Sequence, residues 1–326
     1  MSDKKGERMK VGIIGAGFVG AACAKAMLLR GSCDHIVLND IDTAKAQGLA
    51  NDLSHGELLC PATRIEVGPI SKLSGAQVVV ITAGINEREG NAIDRNDPRG
   101  RLLLLPQNTD IYKQIIPQLA EVVPDAVILV VTDPPDALAD VARILLKNNG
   151  KIVSSGTFLD SLRFRYQIAQ RLDCRAASVD ANVIGEHGTS QVYVWSGARV
   201  GGEKVLDLVE SRGMDPIEFR AEIEQLVKHA NIEIIEGIGA SQHGIGIVTA
   251  RIVEAILRNE NYVAPVGKYQ PEFGVTLSLP STIGAMGVVE VLGPAIDEAE
   301  SAALAASADV LREAVKGVSH LLSVNL

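Results

Sequence analysis

Lys10-Val11-Gly12-Ile13-Ile14-Gly15-Ala16-Gly17-Phe18-Val19-Gly20 is the stretch that decides the fold. Its first five residues are an apolar, β-branched run, which predicts a strand over Lys10–Ile14. Glycines follow at 15, 17 and 20, and helical periodicity takes over across residues 19–29. A glycine turn between strand and helix lets the backbone approach a pyrophosphate, and the helix N-terminus offers it unpaired N–H groups. Such spacing is common by itself; the strand–turn–helix context makes it specific. Asp40 follows a second predicted strand, His35–Asn39, twenty positions after Gly20. A carboxylate there binds both ribose hydroxyls and repels a 2′-phosphate, so the expected cofactor is NAD rather than NADP. The competing role for Asp40 is to cap a helix starting near Thr43.

Outward from this turn, strands and helices alternate. Residues 43–59 read as a helix and 64–67 as a short strand. Residues 77–82 and 126–131 are continuous apolar runs, as expected of strands buried on both faces of a parallel sheet. A helix over 136–149 and a strand over 151–155 follow. This alternation predicts an α/β, doubly wound parallel sheet, a Rossmann-type NAD domain over residues 1–155. Thr82-Ala83-Gly84 and Val131 end two of its strands, at the carboxyl edge where such sheets bind ligands, and are assigned to the cofactor. The pattern then changes. Helical stretches at 159–172, 216–238 and 244–257, β-like segments at 181–184 and 191–200, a meander over 261–292 and a final helix over 296–322 predict a mixed α+β substrate domain, residues 156–326.

Composition narrows the partners. The chain has 326 residues, 47% of them hydrophobic, and a formal charge of -9, without the clustered Lys and Arg that nucleic acid demands. Residues 1–10 are polar, and no apolar run reaches membrane-spanning length, so neither a secretory signal nor a membrane partner is expected. Cys23, Cys33, Cys60 and Cys174 are scattered without metal-ligand spacing; they read as reduced thiols of a cytoplasmic protein with no metal.

Hydride transfer between nicotinamide and a 2-oxo acid needs a proton donor at the carbonyl oxygen, a cation polarising that oxygen and a cation holding the carboxylate. His187 stands in the glycine-flanked turn Ile184-Gly185-Glu186-His187-Gly188. Asp160 and Arg163 lie three apart on one predicted helix face, so that the carboxylate can hold an imidazole while the guanidinium clamps an anion.

Asp160-Ser161-Leu162-Arg163-Phe164-Arg165-Tyr166 and Val183-Ile184-Gly185-Glu186-His187-Gly188 resemble the lactate/malate dehydrogenase superfamily. Gln47-Gly48-Leu49-Ala50-Asn51-Asp52-Leu53, Arg251-Ile252-Val253-Glu254-Ala255-Ile256-Leu257 and Leu279-Pro280 extend the likeness across nearly the whole chain. The resemblance implies reversible hydride transfer at C2 of a 2-hydroxy acid, with His187 as proton donor and acceptor, Asp160 its partner and Arg163 the carboxylate anchor. Arg101, seven residues before Asn108, matches the family's mobile-loop arginine, within an active-site loop of about residues 84–108. Ser241 matches a substrate-pocket position, and His243 lies two residues on. The resemblance also implies a homodimer or homotetramer, for which helices around residues 45–58 and 245–257 are candidate contacts.

Four features depart from the family pattern. The stretch between Gly90 and Arg101 is several residues longer and is similar to the extended loop of L-2-hydroxyisocaproate dehydrogenases, which implies lactate-like or bulkier substrates. Glu87 falls where an arginine would mark malate as substrate, though Arg88, Arg95 or Arg99 could replace it, which keeps malate dehydrogenase as an alternative. Asp133 stands where the family has an asparagine; ionised, it repels the substrate carboxylate unless it is protonated or paired with an arginine such as Arg101. With Glu87 it opens the option of a substrate carrying a cationic or hydrogen-bonding side chain. Thr189 replaces an aspartate after His187-Gly188. Readings of other classes are an NAD-dependent glycosidase and a non-catalytic NAD-binding protein.

Overall fold

The computed structural model describes residues 9–147 and 150–322. The polar N-terminal residues up to 8 and the end of the helix expected over 136–149 lie outside that range.

Strands β1 (Lys10–Ile14), β2 (His35–Asn39), β3 (Arg64–Val67), β4 (Val78–Ile81), β5 (Val127–Val130) and β6 (Lys151–Ser154) are parallel and ordered β3-β2-β1-β4-β5-β6. Helices α1 (Phe18–Arg30), α2 (Thr43–Gly56), α3 (Leu105–Val122) and α4 (Pro135–Leu145) connect them. Alternation along the central strands divides the core in two. Val79, Ile81, Ile128 and Val130 pack on Ile116, Leu119 and Leu138 of α3 and α4. Val78, Val80, Val127 and Leu129 face Met27 of α1. Both faces are covered, so these strands are apolar throughout.

After β6 come α5 (Phe158–Leu172), the short strands β7 (Val179–Asp180), β8 (Val183–Ile184), β9 (Val192–Tyr193), β10 (Arg199–Val200) and β11 (Glu203–Lys204), then α6 (Val205–Ser211), α7 (Pro216–Ile238) and α8 (His243–Leu257). Phe164, Trp195 and Phe219 form an edge-to-face cluster beneath α5 and α7. The meander is β12 (Tyr262–Gln270), β13 (Val275–Gly284) and β14 (Gly287–Val291), and α9 (Glu298–Gly317) closes the described chain with a 3-10 turn after it.

The meander joins the parallel sheet. β12 pairs antiparallel with β6 through Gly267 and Ser154, making nine strands in all. The apolar face of α8 is spent inside the chain: Val248, Ile252, Val253 and Ile256 pack with α1 and β12. Two expected boundaries shift. The 43–59 helix passes into a 3-10 turn at Glu57–Leu59, and the last helix begins only at Glu298, where Asp297 and Glu300 form a capping box. The loop expected to reach residue 108 ends earlier, because a 3-10 turn at Gly100–Leu104 leads straight into α3. No described helix is long and apolar enough to cross a membrane.

Candidate active site

Every chemistry-bearing segment sits at the carboxyl ends of the parallel strands or on the elements that cap them, the edge where open α/β sheets bind ligands. The glycine turn after β1 shows why these glycines are needed. Gly15 has φ +102°, and a Cβ on Gly20 would stand 1.9 Å from Gly15 O. α1 therefore packs against the turn itself. Gly17 caps α1 without a side chain, and a Cβ there would meet only Lys45 Nζ, 3.9 Å away. The first-turn N–H groups of α1 thus open onto a cavity of about 340 Å³. Thr82 Oγ1 buttresses the turn by donating to Ile14 O and Gly15 O. Asp40 Oδ2 accepts from Ala16 N at 2.5 Å and Oδ1 from Asp42 N at 2.9 Å; the side chain that caps α2 is Asp42, so Asp40 is not the cap. An open helix N-terminus, a backbone stripped of Cβ atoms and a carboxylate fixed beside them fit the diphosphate and ribose of NAD.

Gly17, Phe18, Val19, Thr82, Gly84 and Val131 line this cavity, together with Glu87, Arg101, Asp133, Arg163, His187 and Ser241. Gly15, Gly20, Ala83 and Asp40 do not line it; they shape its floor. His243 opens α8 on the exposed surface and is not among the lining residues.

The candidate catalytic group is built from two helix starts and one turn. Asp160, in the first turn of α5, is 2% exposed. Its Oδ2 contacts His187 Nδ1, and its Oδ1 accepts from Arg163 Nη1 at 3.0 Å. Burial alone would raise its carboxyl, but His187, Arg163 and Arg101 hold it well below the usual carboxylate range. For His187, burial disfavours the charged ring and Asp160 outweighs it, so the imidazole titrates above its ordinary value. Its Nε2 is left towards the cavity, 3.7 Å from Asp133 Oδ1. Arg163 Nη2 reaches Ser241 Oγ at 3.3 Å.

Arg101 lies in the 3-10 turn before α3, with Nε 3.2 Å from Asp133 Oδ2. That contact lacks hydrogen-bond alignment, which leaves the Nε–H without an acceptor. Glu87 faces Asp133, carboxyl to carboxyl. Burial and this neighbouring negative charge push Glu87 up to about 7 against the pull of Arg101. Two of the three arginines that could replace a specificity arginine are engaged elsewhere, and the third, Arg88, does not line the cavity. Arg95 makes a bidentate pair with Glu236, and Arg99 pairs with Asp97. Thr189 Oγ1 donates to Pro98 O at 2.6 Å, so it ties the long loop to the His187 turn.

Three residues of the site escape sequence reasoning. Asp136 Oδ2 accepts from His187 N at 2.8 Å, and burial raises its carboxyl to about 6. Asn108 bridges Ile85 N and Asp133 O, both at 2.7 Å, joining two strand ends. Asn231, on α7, is 5% exposed, lines the cavity and has no hydrogen-bond partner among the described residues. An acid in a helix first turn and an amide within a helix carry no motif; only the rarity of a buried Asp or Asn amid apolar neighbours would have marked them.

Residues 9–154 match the family described as lactate/malate dehydrogenase, NAD binding domain, and residues 157–322 match its alpha/beta C-terminal domain. The chain belongs to the lactate/malate dehydrogenase family. It is accordingly an NAD-dependent oxidoreductase acting on a 2-hydroxy acid. Among relatives, L-lactate dehydrogenase of Deinococcus radiodurans is 42% identical over 305 residues, covering 93% of this chain and 97% of that one. L-lactate dehydrogenase of Thermus aquaticus is 39% identical, covering 95% and 99%. Two solved structures superpose with a TM-score of 0.87. One is a lactate dehydrogenase from a Medee basin deep-sea metagenome library, 33% identical, covering 96% of this chain and 100% of that one. The other is the minor L-lactate dehydrogenase of Enterococcus mundtii, 32% identical, covering 96% and 99%.

Proposed function

We propose that this family member is an L-2-hydroxy acid dehydrogenase for acids of lactate size or larger, in which His187 donates and accepts the proton of the substrate oxygen. The observation that carries this reading is one buried group: an imidazole held by Asp160 and aimed, with two guanidinium groups, into the cavity beside the glycine turn. Gly17, Phe18, Val19, Thr82, Gly84 and Val131 would hold NAD there, with Asp40 at its ribose, and the cofactor would supply the hydride chemistry at C2.

The chain's own residues do the rest. Asp160 favours the protonated ring of His187, which gives its proton to the oxygen of an oxo acid. Arg101 polarises that oxygen through an N–H that has no acceptor of its own. Arg163 clamps the carboxylate, steadied by Asp160 and Ser241. Asp136 fixes the backbone of His187 from behind. The loop from residue 84 to the 3-10 turn at Gly100–Leu104 is the lid; closing it excludes water and strengthens each of these interactions. The long lid, similar to that of L-2-hydroxyisocaproate dehydrogenases, leaves room for a substituent larger than methyl. Malate fits less well, because Glu87 repels a second carboxylate while Arg95 and Arg99 are paired outside the cavity.

With the division near Ser155, the cofactor residues fall in the first domain and His187, Arg163 and Ser241 in the second, while Glu87, Arg101 and Asp133 meet the substrate from the first. Leu58 and Leu59 after α2 are 95% and 94% exposed, which supports a homodimer or homotetramer using that region. Four free thiols suit a reducing, cytoplasmic setting. The test is a panel of 2-oxo acids with NADH, read as kcat/KM. Turnover of lactate-like or larger acids is expected, and oxaloacetate far ahead of them overturns the reading.

A further inference from the structure

The carboxyl groups around the reacting centre outnumber the cations paired with them. Arg163 pairs with Asp160, which also holds His187, and Arg101 lies against Asp133. Glu87, beside Asp133 in the cavity wall, is left without a close cation of its own, and burial with that neighbouring charge raises its carboxyl to about 7. Burying an unpaired charge is costly, so Glu87 favours its protonated form until a cation takes the proton's place.

The unspent polar groups show where. Arg163 and Asp160 are committed to each other, and Arg101 lies against Asp133. Glu87 has only the neighbouring carboxyl of Asp133 as its side-chain partner, an arrangement that lasts only while a proton is shared between them. Asn231, 5% exposed, lines the same cavity from α7, its amide open to the cavity rather than sealed in the core. A surplus carboxyl and a free-facing amide line one cavity. An apolar substituent satisfies neither group, whereas a donor-rich cation satisfies both.

Resting on the dehydrogenase reading above, we infer that the substrate is a 2-hydroxy or 2-oxo acid whose side chain ends in an ammonium or guanidinium group, received by Glu87, Asp133 and Asn231. The cation takes the place of the proton shared by the two carboxyls, which leaves for solvent, and donates to the Asn231 amide oxygen while the substrate carboxylate sits on Arg163. The long lid supplies the length that such a side chain needs, since Glu87 is carried on it.

The experiment compares isosteric pairs of L-2-hydroxy acids oxidised with NAD and followed by NADH absorbance: 4-amino-2-hydroxybutanoate against 2-hydroxypentanoate, and 6-amino-2-hydroxyhexanoate against 2-hydroxyheptanoate. L-Lactate, L-malate and 5-guanidino-2-hydroxypentanoate complete the series. In at least one pair the ammonium acid should exceed its alkyl isostere in kcat/KM by roughly tenfold to a hundredfold, the range for a buried hydrogen bond to a charge. Glu87→Gln should then cut kcat/KM for that ammonium acid at least about tenfold more than for its isostere. The pairs alone decide the matter if the variant does not fold, because they need only the native enzyme. Alkyl acids equal to or better than their ammonium partners in both pairs, or L-malate ahead of all, overturn the inference while leaving the dehydrogenase intact. Failure of every acid, L-lactate included, to reduce NAD instead removes the reading beneath it.

Discussion

Asp160→Asn isolates the interaction on which proton transfer depends. His187 and Asp160 are both buried, with side chains 11% and 3% exposed, and they touch through Nδ1 and Oδ2. Two unit charges about 4 Å apart attract by about 4 kcal/mol at an effective dielectric near 20. That attraction overcomes the burial which otherwise disfavours a charged ring, and the imidazole consequently titrates above its ordinary value. Asparagine preserves shape but not charge, so the largest influence opposing burial is lost and the His187 pKa falls. Oxo-acid reduction requires the protonated ring. The native kcat/KM should therefore be level at low pH and fall as pH rises through the raised pKa; in the variant that limb moves to lower pH. At neutral pH the rate should drop on the order of 10²–10⁴-fold, the usual worth of a well-placed proton donor. Arg163 also loses its anion, so unfolding stability should decrease by about 3–5 kcal/mol. The assays are kcat/KM across pH for reduction by NADH, with NADH binding as a check that the variant is folded. A folded variant whose pH limb stays in place refutes the reasoning, because His187 then draws its charge from elsewhere.

Three further outcomes follow from the same geometry. Arg163→Lys keeps the charge but not the fork that spans Asp160 and Ser241, so KM for the oxo acid should rise at least about tenfold with NADH affinity little changed; equal losses in both would place Arg163 at the cofactor. Gly20→Ala puts a methyl 1.9 Å from Gly15 O, and a drop in Tm with NADH affinity reduced more than about tenfold is expected, since overpacking of this kind costs roughly 1–3 kcal/mol; unchanged NADH titration would contradict the close-packed turn. Asp40→Ser removes the carboxylate that holds Ala16 N and faces the ribose, and the ratio of kcat/KM for NADH over NADPH should narrow about tenfold or more, with a constant ratio arguing against its role.

What the sequence discloses follows from how local each signal is. The glycine turn, Asp40 and the Asp160/Arg163 spacing are readable because strand and helix periodicity alone put those side chains together. Helix α3 is missing from the sequence reading although Leu105, Tyr112, Ile115, Ile116 and Leu119 recur at helical spacing; Pro117 inside it and the loop assigned up to residue 108 hide that pattern. The hairpins of the meander are legible, but their sheet is not. Attachment to β6 depends on one residue pair, Gly267 with Ser154, which no local pattern encodes. His187 is singled out by its motif, whereas Asp136 behind it looks like any acid in a first turn until the fold buries it. The partner of Asp133 is a matter of tertiary placement too. Arg101 was one option among the loop arginines, and the fold selects it by sending Arg95 to Glu236 and Arg99 to Asp97.

That selection links the lid to the chemistry. Arg101 lies at the inner end of the loop, where Leu104 and Leu105 are buried in the core, so the backbone beside it is anchored. The outer end is held differently: Arg95 and Glu236 pair in the open, and Thr189 reaches Pro98 from the exposed side of the His187 turn. Exposed pairs and single surface hydrogen bonds are weak and screened by salt. The loop can therefore release its outer end at small cost while Leu104 stays in place. When it closes, the same contacts bring Glu87 against Asp133, and Arg101 is sealed beside His187. Closure thus builds an acidic wall and a cationic polariser in one step, and a substrate that neutralises the first stabilises the geometry of the second. Recognition of the side chain and activation of the carbonyl are then two ends of one motion, which is why a carboxylate on a mobile loop can act on kcat as well as on KM.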